Sequence, residues 1–158
     1  MGLIEKISRN EDIRLWTGEF PVEYLYTAGI AGERYLREIK DNARIMGTRC
    51  EGCRIVYVPP SQYCERCFEA MESWVEVGNR GYVHTYTVSY LDLDGRRRKD
   101  PSIIALVKFS GVEGGIVHRL GEIEPEDVEI GLQVEAVFKE KGDREGSILD
   151  IRYFRPVP

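Results

Sequence analysis

Apolar positions follow two rhythms along this chain. Over residues 31–42, Ala31, Tyr35, Leu36 and Ile39 recur at the spacing of one helix face. Glu33/Arg37 and Arg34/Glu38 add oppositely charged pairs four residues apart. The spacing predicts a helix, short and weakened by Gly32, so it needs tertiary support. From Gly78 onward the rhythm shortens to alternation. Gly81–Leu91 puts Tyr82, His84, Tyr86, Val88 and Tyr90 on one predicted face. Ser102–Phe109 is apolar and β-branched, and Gly114-Gly115 separates it from Ile116–Leu120. Gln133–Lys141 places Val134, Ala136 and Phe138 on one side, and Ser147–Arg155 does the same with Leu149, Ile151 and Tyr153. Asp94-Gly95 and Gly142-Asp143 mark turns.

These are five strands, with a turn of helix expected over Glu124–Ile130 between the third and fourth. A five-stranded Greek-key barrel of the OB type has this order. The expected fold is therefore mainly β with a short N-terminal helical region: a rubredoxin-like zinc ribbon followed by a five-stranded OB-fold barrel. The expected boundaries are an N-terminal helical arm at 1–43, the ribbon at 44–77 and the OB-fold domain at 78–158. In the arm, Ile7, Trp16, Phe20, Tyr24, Leu25 and Tyr26 are apolar anchors among charges, and Pro21 interrupts any long helix. Such an arm packs either on its own domain or on a partner.

The ribbon rests on the cysteines. All four fall in two pairs, Cys50-Glu-Gly-Cys53 and Cys64-Glu-Arg-Cys67, ten residues apart. A two-residue gap lets one tight turn aim both sulfurs at the same metal, and four thiolates complete a tetrahedral zinc shell. Gly52 suits a turn that needs positive φ. The competing readings are two disulfides, four free thiols, or a redox pair, which would need a CxxC opening a helix in a βαβ unit. Arg54–Val58 reads as a strand ended by Pro59-Pro60, with Tyr57 and Trp74 in a small core. So small a core needs the metal to replace missing burial.

Charge narrows the function classes. The net charge is −5, divided as −1 over residues 1–70 and −4 over 71–158. Neither half has the basic excess expected of a phosphate-backbone binder. The opening residues MGLIEKISRNEDIRL are too charged for a signal peptide, and no run reaches the length of a membrane span. Reduced cysteines serving a metal fit the cytoplasm. His84 and His118 fall in predicted strands without a fixed-spacing partner, and they read as ordinary strand histidines before they read as catalysts. No GxSxG, HExxH, GxxxxGKS or GxGxxG motif occurs, so the expected catalytic set is empty. Arg96, Arg97, Arg98 and Lys99 form the densest run of cations, expected in the loop between the first two barrel strands. They suit phosphates of a nucleic acid or of coenzyme A, or else make a solvated loop offset by Asp92, Asp94 and Asp100. Tyr82, Tyr86 and Tyr90 are either a stacking platform for bases, or else barrel core or a protein interface.

Taken in order, GTRCEGCRIVYVPPSQYCERC, WVEVGNRGYVHTYTVSY, GGIVHRLGEI and EIGLQVEAVFKE resemble the zinc-ribbon/OB-fold proteins of domain-of-unknown-function family 35, over residues 31 to 155. The resemblance implies a small protein without an activity of its own that accompanies thiolases and related acyl-CoA enzymes. Archaeal members are similar to a subunit bridging acetoacetyl-CoA thiolase and hydroxymethylglutaryl-CoA synthase in the mevalonate route. Bacterial relatives accompany thiolase-like aldolases. The resemblance makes Cys50, Cys53, Cys64 and Cys67 zinc ligands and gives the barrel a part in holding CoA. The expected function is a non-catalytic scaffold of a thiolase-type acyl-CoA complex, with zinc as structural cofactor and coenzyme A or an acyl-CoA as ligand. The alternatives are a nucleic-acid-binding ribbon/OB protein, or an acyl-CoA enzyme using His84 or His118.

Overall fold

The computed structural model describes Arg9 and residues 23–92 and 94–157. Ile7, Trp16, Phe20 and Pro21 of the arm lie outside the described residues. Helix α1 spans Gly29–Asn42 and buries Ala31, Tyr35 and Ile39, the face that the spacing predicts. It starts without a side-chain cap and ends on Ala43 in the left-handed conformation. Its support comes from elsewhere in the chain. Arg144 Nη1 donates to the Lys40 carbonyl at 2.8 Å, satisfying an orphan acceptor of the last turn. Of the two expected charge pairs, only Glu33–Arg37 forms. Glu38 accepts from Arg44 Nε at 2.7 Å instead, and the Arg34 guanidinium stacks 4.4 Å above the Trp74 ring. Asn42 Nδ2 also donates to Glu38, at 2.7 Å, so both members of the expected pair are engaged elsewhere.

Two sheets follow. In the first, β1 (Met46–Arg49), β2 (Val56–Val58) and β3 (Ser73–Glu76) pair antiparallel around β1. A fourth strand, β6 (Val112–Gly114), joins β2 in parallel although it lies far along the chain. Gly114-Gly115 is thus a joint rather than a spacer. Gly114 has φ 86°, and a Cβ there would stand 2.2 Å from the Val58 carbonyl oxygen. Only glycine allows the barrel backbone to approach the ribbon so closely.

The second sheet runs β7 (Ile116–Arg119), β5 (Arg97–Lys108), β4 (Arg80–Leu91), β8 (Gln133–Phe138), β9 (Ile151–Pro156). A parallel bridge between Leu120 and Phe154 closes it, with Gly121 N–H donating to the Phe154 carbonyl at 2.9 Å. A 3₁₀ turn at Pro125–Asp127 stands where the helical stretch is expected. Among the described residues the architecture is mainly β, with one α-helix, a zinc ribbon and then an OB barrel.

Three details differ from the alternation read in the sequence. In β4 the register slips between Val83 and Thr85, leaving His84 as an extra residue. Val83, Tyr86 and Val88 then stand opposite the buried Val107, Ala105 and Ile103, whereas Tyr82 stands opposite Lys108. The tyrosines therefore do not form one row, because the bulge inverts the phase between Tyr82 and Tyr86. In the last expected strand, Ile148–Asp150 is a 3₁₀ turn. The Asp150 carboxylate accepts from the N–H groups of Glu145, Gly146 and Ser147, and the Ser147 hydroxyl accepts from Leu149 N–H. These local bonds outcompete the ladder, so the strand begins only at Ile151. Burial alone would push the Asp150 carboxyl up; these N–H donors and Lys139 hold it below the usual carboxylate range instead. Finally, Gln133–Lys141 stops pairing at Phe138, and a 3₁₀ turn occupies Lys141–Asp143.

One core joins the modules. Tyr35 and Ile39 of α1, Met46 and Val58 of the ribbon, and Val83, Val107, Val134, Ile151 and Phe154 of the barrel form a single buried cluster.

Candidate zinc centre and barrel groove

Two similar hairpins position the cysteines. Cys50 N–H donates to the Ile55 carbonyl and Arg54 N–H to the Cys50 carbonyl; Cys64 N–H and Phe68 N–H repeat this pattern with Glu69 and Cys64. Arg54 and Phe68, each directly after the second cysteine of its pair, both have φ 59°. The strained residue of each turn is thus not Gly52. A Cβ on that glycine would lie 2.7 Å from Glu69 Oε2, the movable end of an exposed side chain, so a modest shift of Glu69 would accommodate it.

The four Sγ atoms all lie within 4.8 Å of one another, with Cys50 and Cys67 at 3.5 Å. A disulfide needs ~2.05 Å, and all four cysteines are free. A tetrahedral zinc shell with Zn–S of ~2.3 Å requires sulfur separations of ~3.8 Å. The donor set therefore fits zinc in type, number and spacing. Electrostatics agree with a cation among the sulfurs. The Cys67 N–H first, then the Tyr57 hydroxyl and the Arg66 N–H, hold the Cys64 thiol down at about 6 against the effect of burial. Crowding by Cys67, with burial, pushes Cys53 up to about 12. Four thiolates so close together need a divalent cation to lose all their protons. Cys50 and Cys64 are buried and Cys67 is exposed. Tyr57 and Met71 complete a small separate cluster around them. The Tyr57 hydroxyl lies 3.6 Å from Cys64 Sγ.

Arg96–Lys99 occupies a different place from the one expected. Arg97, Arg98 and Lys99 belong to strand β5 rather than to a loop, and only Arg96 lies in the turn. All four are exposed at the end of the β4–β5 hairpin; Arg98 Nε donates to the Leu91 carbonyl at 3.1 Å, and Arg96 N–H to Asp92 at 2.8 Å. The two histidines part company: His84 is the exposed bulge residue, and His118 is buried against Phe154.

A groove of about 650 Å³ opens instead between β7 and β9. Ile104, Val117, Ile148, Leu149 and Tyr153 line it with His118, Arg119, Lys139 and Arg152. The sequence reading did not single it out. Its residues come from β5, β7, the β8–β9 loop and β9, and only barrel closure brings them together.

Comparison with known proteins agrees with this layout. Residues 37–72 match the family described as the ChsH2 rubredoxin-like zinc ribbon domain, and residues 74–139 match the ChsH2 C-terminal OB-fold domain. A DUF35 domain-containing scaffold protein of Methanocaldococcus jannaschii is 33% identical over 128 residues, covering 78% of this chain and 89% of that protein. A protein of the same description from Pyrococcus furiosus is 29% identical over 127 residues, covering 78% and 91%. Among solved structures, a DUF35 protein of unknown function from Sulfolobus solfataricus superposes with TM-score 0.64 at 28% identity, over 81% of this chain and 84% of that one. The Ltp2–ChsH2(DUF35) aldolase superposes with TM-score 0.57 at 26% identity, over 78% and 91%.

Proposed function

We propose, from the premise that this chain belongs to the DUF35 family, that it is a non-catalytic scaffold subunit of a thiolase-type acyl-CoA complex in the cytoplasm. The observation that carries this reading is the likeness, over most of the chain, to proteins described as DUF35 scaffold proteins and to a DUF35 chain within an aldolase. The partners are acetoacetyl-CoA thiolase, with or without hydroxymethylglutaryl-CoA synthase. In this reading Cys50, Cys53, Cys64 and Cys67 hold a structural zinc, which supplies a rigid cross-link and no chemistry of its own. The units are the arm at 1–43, the ribbon at 44–77 and the barrel at 78–158. Arm and ribbon dock on the enzyme while the barrel helps to hold the CoA thioester.

The physics of the surface supports docking. Tyr24, Leu25, Tyr26 and Ile30 present their side chains to solvent next to α1, an apolar patch that a partner would cover. The enzyme supplies nucleophile and base, so its scaffold needs neither. Arg96–Lys99 is the proposed contact for the phosphates of CoA.

The test is co-expression with the acetoacetyl-CoA thiolases of the same organism, followed by size-exclusion chromatography. A complex that co-elutes and survives dilution is expected. A chain that elutes alone beside every one of these thiolases overturns the scaffold reading. If retention on single-stranded nucleic acid instead falls steeply with salt, the nucleic-acid reading replaces it.

A further inference from the structure

The groove between β7 and β9 combines three features that the fold itself does not use. First, Val117 and Leu149 expose their side chains into it, at 66% and 65%. Second, its cations are in excess of its anions. Among the described residues Arg119 and Arg152 form no ion pair, and the Arg152 guanidinium lies over the Tyr153 ring, 5.5 Å from its centroid. The nearby carboxylates are engaged: Asp150 binds Lys139 and backbone N–H groups, and Glu122 binds Tyr153 and Arg155. Glu140 and Asp143 line the adjoining surface beside Lys139 and Arg152 without pairing to Arg152. Third, His118 lines the groove at only 8% exposure: burial lowers its basicity, the backbone of Ile148 and Arg119 partly offsets this, yet neither ring nitrogen reaches a hydrogen bond of good geometry. A buried imidazole so loosely partnered is uncommon in a folded protein and leaves room for a better hydrogen bond.

We propose that this groove is a binding site for an amphipathic organic anion, with an aliphatic tail along Ile104, Val117 and Leu149 and a phosphate or carboxylate head on Arg119 and Arg152. Guanidinium forks match such heads in geometry and charge. His118 offers one ring N–H to a polar atom near the junction of head and tail. The site is separate from Arg96–Lys99 and belongs to the isolated chain, so it stands or falls independently of any complex.

Titration calorimetry on the zinc-loaded full chain tests it. The probes are decyl phosphate and decanoyl-coenzyme A, with inorganic phosphate and 1-decanol as the single-chemistry controls. At least one of the two amphiphiles should bind well above either control, and which one does distinguishes a simple lipid-like anion from an acyl thioester. Arg119→Ala/Arg152→Ala should weaken binding by about tenfold or more. Leu149→Asp, at an exposed turn, should weaken it without unfolding the chain, as an amide NMR spectrum will show. Arg37→Ala, at an exposed cation of α1 outside the groove and outside Arg96–Lys99, should leave it unchanged. No binding of either amphiphile, equal binding of inorganic phosphate, or retention of affinity in both groove variants overturns the site.

Discussion

The distal ribbon and the barrel hold themselves together by different means. Around the cysteines only Cys50, Tyr57, Cys64 and Met71 are buried together, with Cys53 and Ile55 against them. Around the barrel, sixteen residues form one buried cluster: eleven of the barrel itself, Tyr35 and Ile39 of α1, and Ile45, Met46 and Val58 from the near end of the ribbon. The first group is too small to offset the conformational entropy of its loops by apolar burial. The second is of ordinary size. The ribbon is therefore a domain at one end only: its near strands belong to the barrel's core, and its far end depends on whatever joins the sulfurs. The boundary between the two mechanisms runs through β2, where Tyr57 faces the cysteines and Val58 the barrel.

Metal removal should break this contrast most visibly. Structural zinc sites contribute about 10 kcal/mol of apparent binding energy in small modules. A chelator should abolish amide-exchange protection over residues 48–72 while strands β4, β5 and β8 keep theirs. A chromogenic thiol reagent should count four free thiols as the zinc leaves. If the barrel strands lose protection at the same chelator concentration, the parallel β2–β6 pairing couples the two regions more tightly than their separate cores imply.

Phe154→Ala probes the other side. Phe154 is fully buried, touches His118 edge-on with ring centroids 6.0 Å apart, and its backbone closes the barrel. Truncation should cost about 3–5 kcal/mol, read as a lower urea midpoint. Zinc content should stay the same below that midpoint, because the four sulfurs touch none of the atoms removed. A variant that folds normally but loses zinc would reverse the assignment of roles.

This asymmetry also explains what was legible in the sequence. The cysteine pairs, the α1 face and the strand order could be read because each is local: CxxC spacing, helical periodicity, alternation. Val134, Ala136 and Phe138 pack as their alternation requires. What stayed hidden depends on registry between distant segments. The slip at His84 separates Tyr82 from Tyr86, and no local signal marks it. Gly114 reads as punctuation until β6 is seen beside β2. Leu149 continues an alternating pattern, but Asp150 draws three N–H groups into a turn and leaves it in solvent. The barrel groove is the extreme case, since its lining comes from four segments that only closure assembles.

The smallest effect expected lies at the boundary itself. Tyr57 is nearly buried, and its hydroxyl meets Cys64 Sγ at 3.6 Å. That contact, with burial, pushes the phenol up to about 12, so at neutral pH the hydroxyl remains a proton donor and the sulfur the acceptor. A donor to a metal-bound thiolate draws off electron density and makes the sulfur a poorer target for protons and competing chelators. Tyr57→Phe preserves the packing and removes only this donor. It should cost about 1 kcal/mol, a several-fold faster transfer of zinc to a chromophoric chelator, with the barrel's urea midpoint unchanged. Equal release rates in the two proteins would show that Tyr57 serves the ribbon by packing alone. A lowered barrel midpoint would show that the division between metal and burial at β2 is drawn in the wrong place.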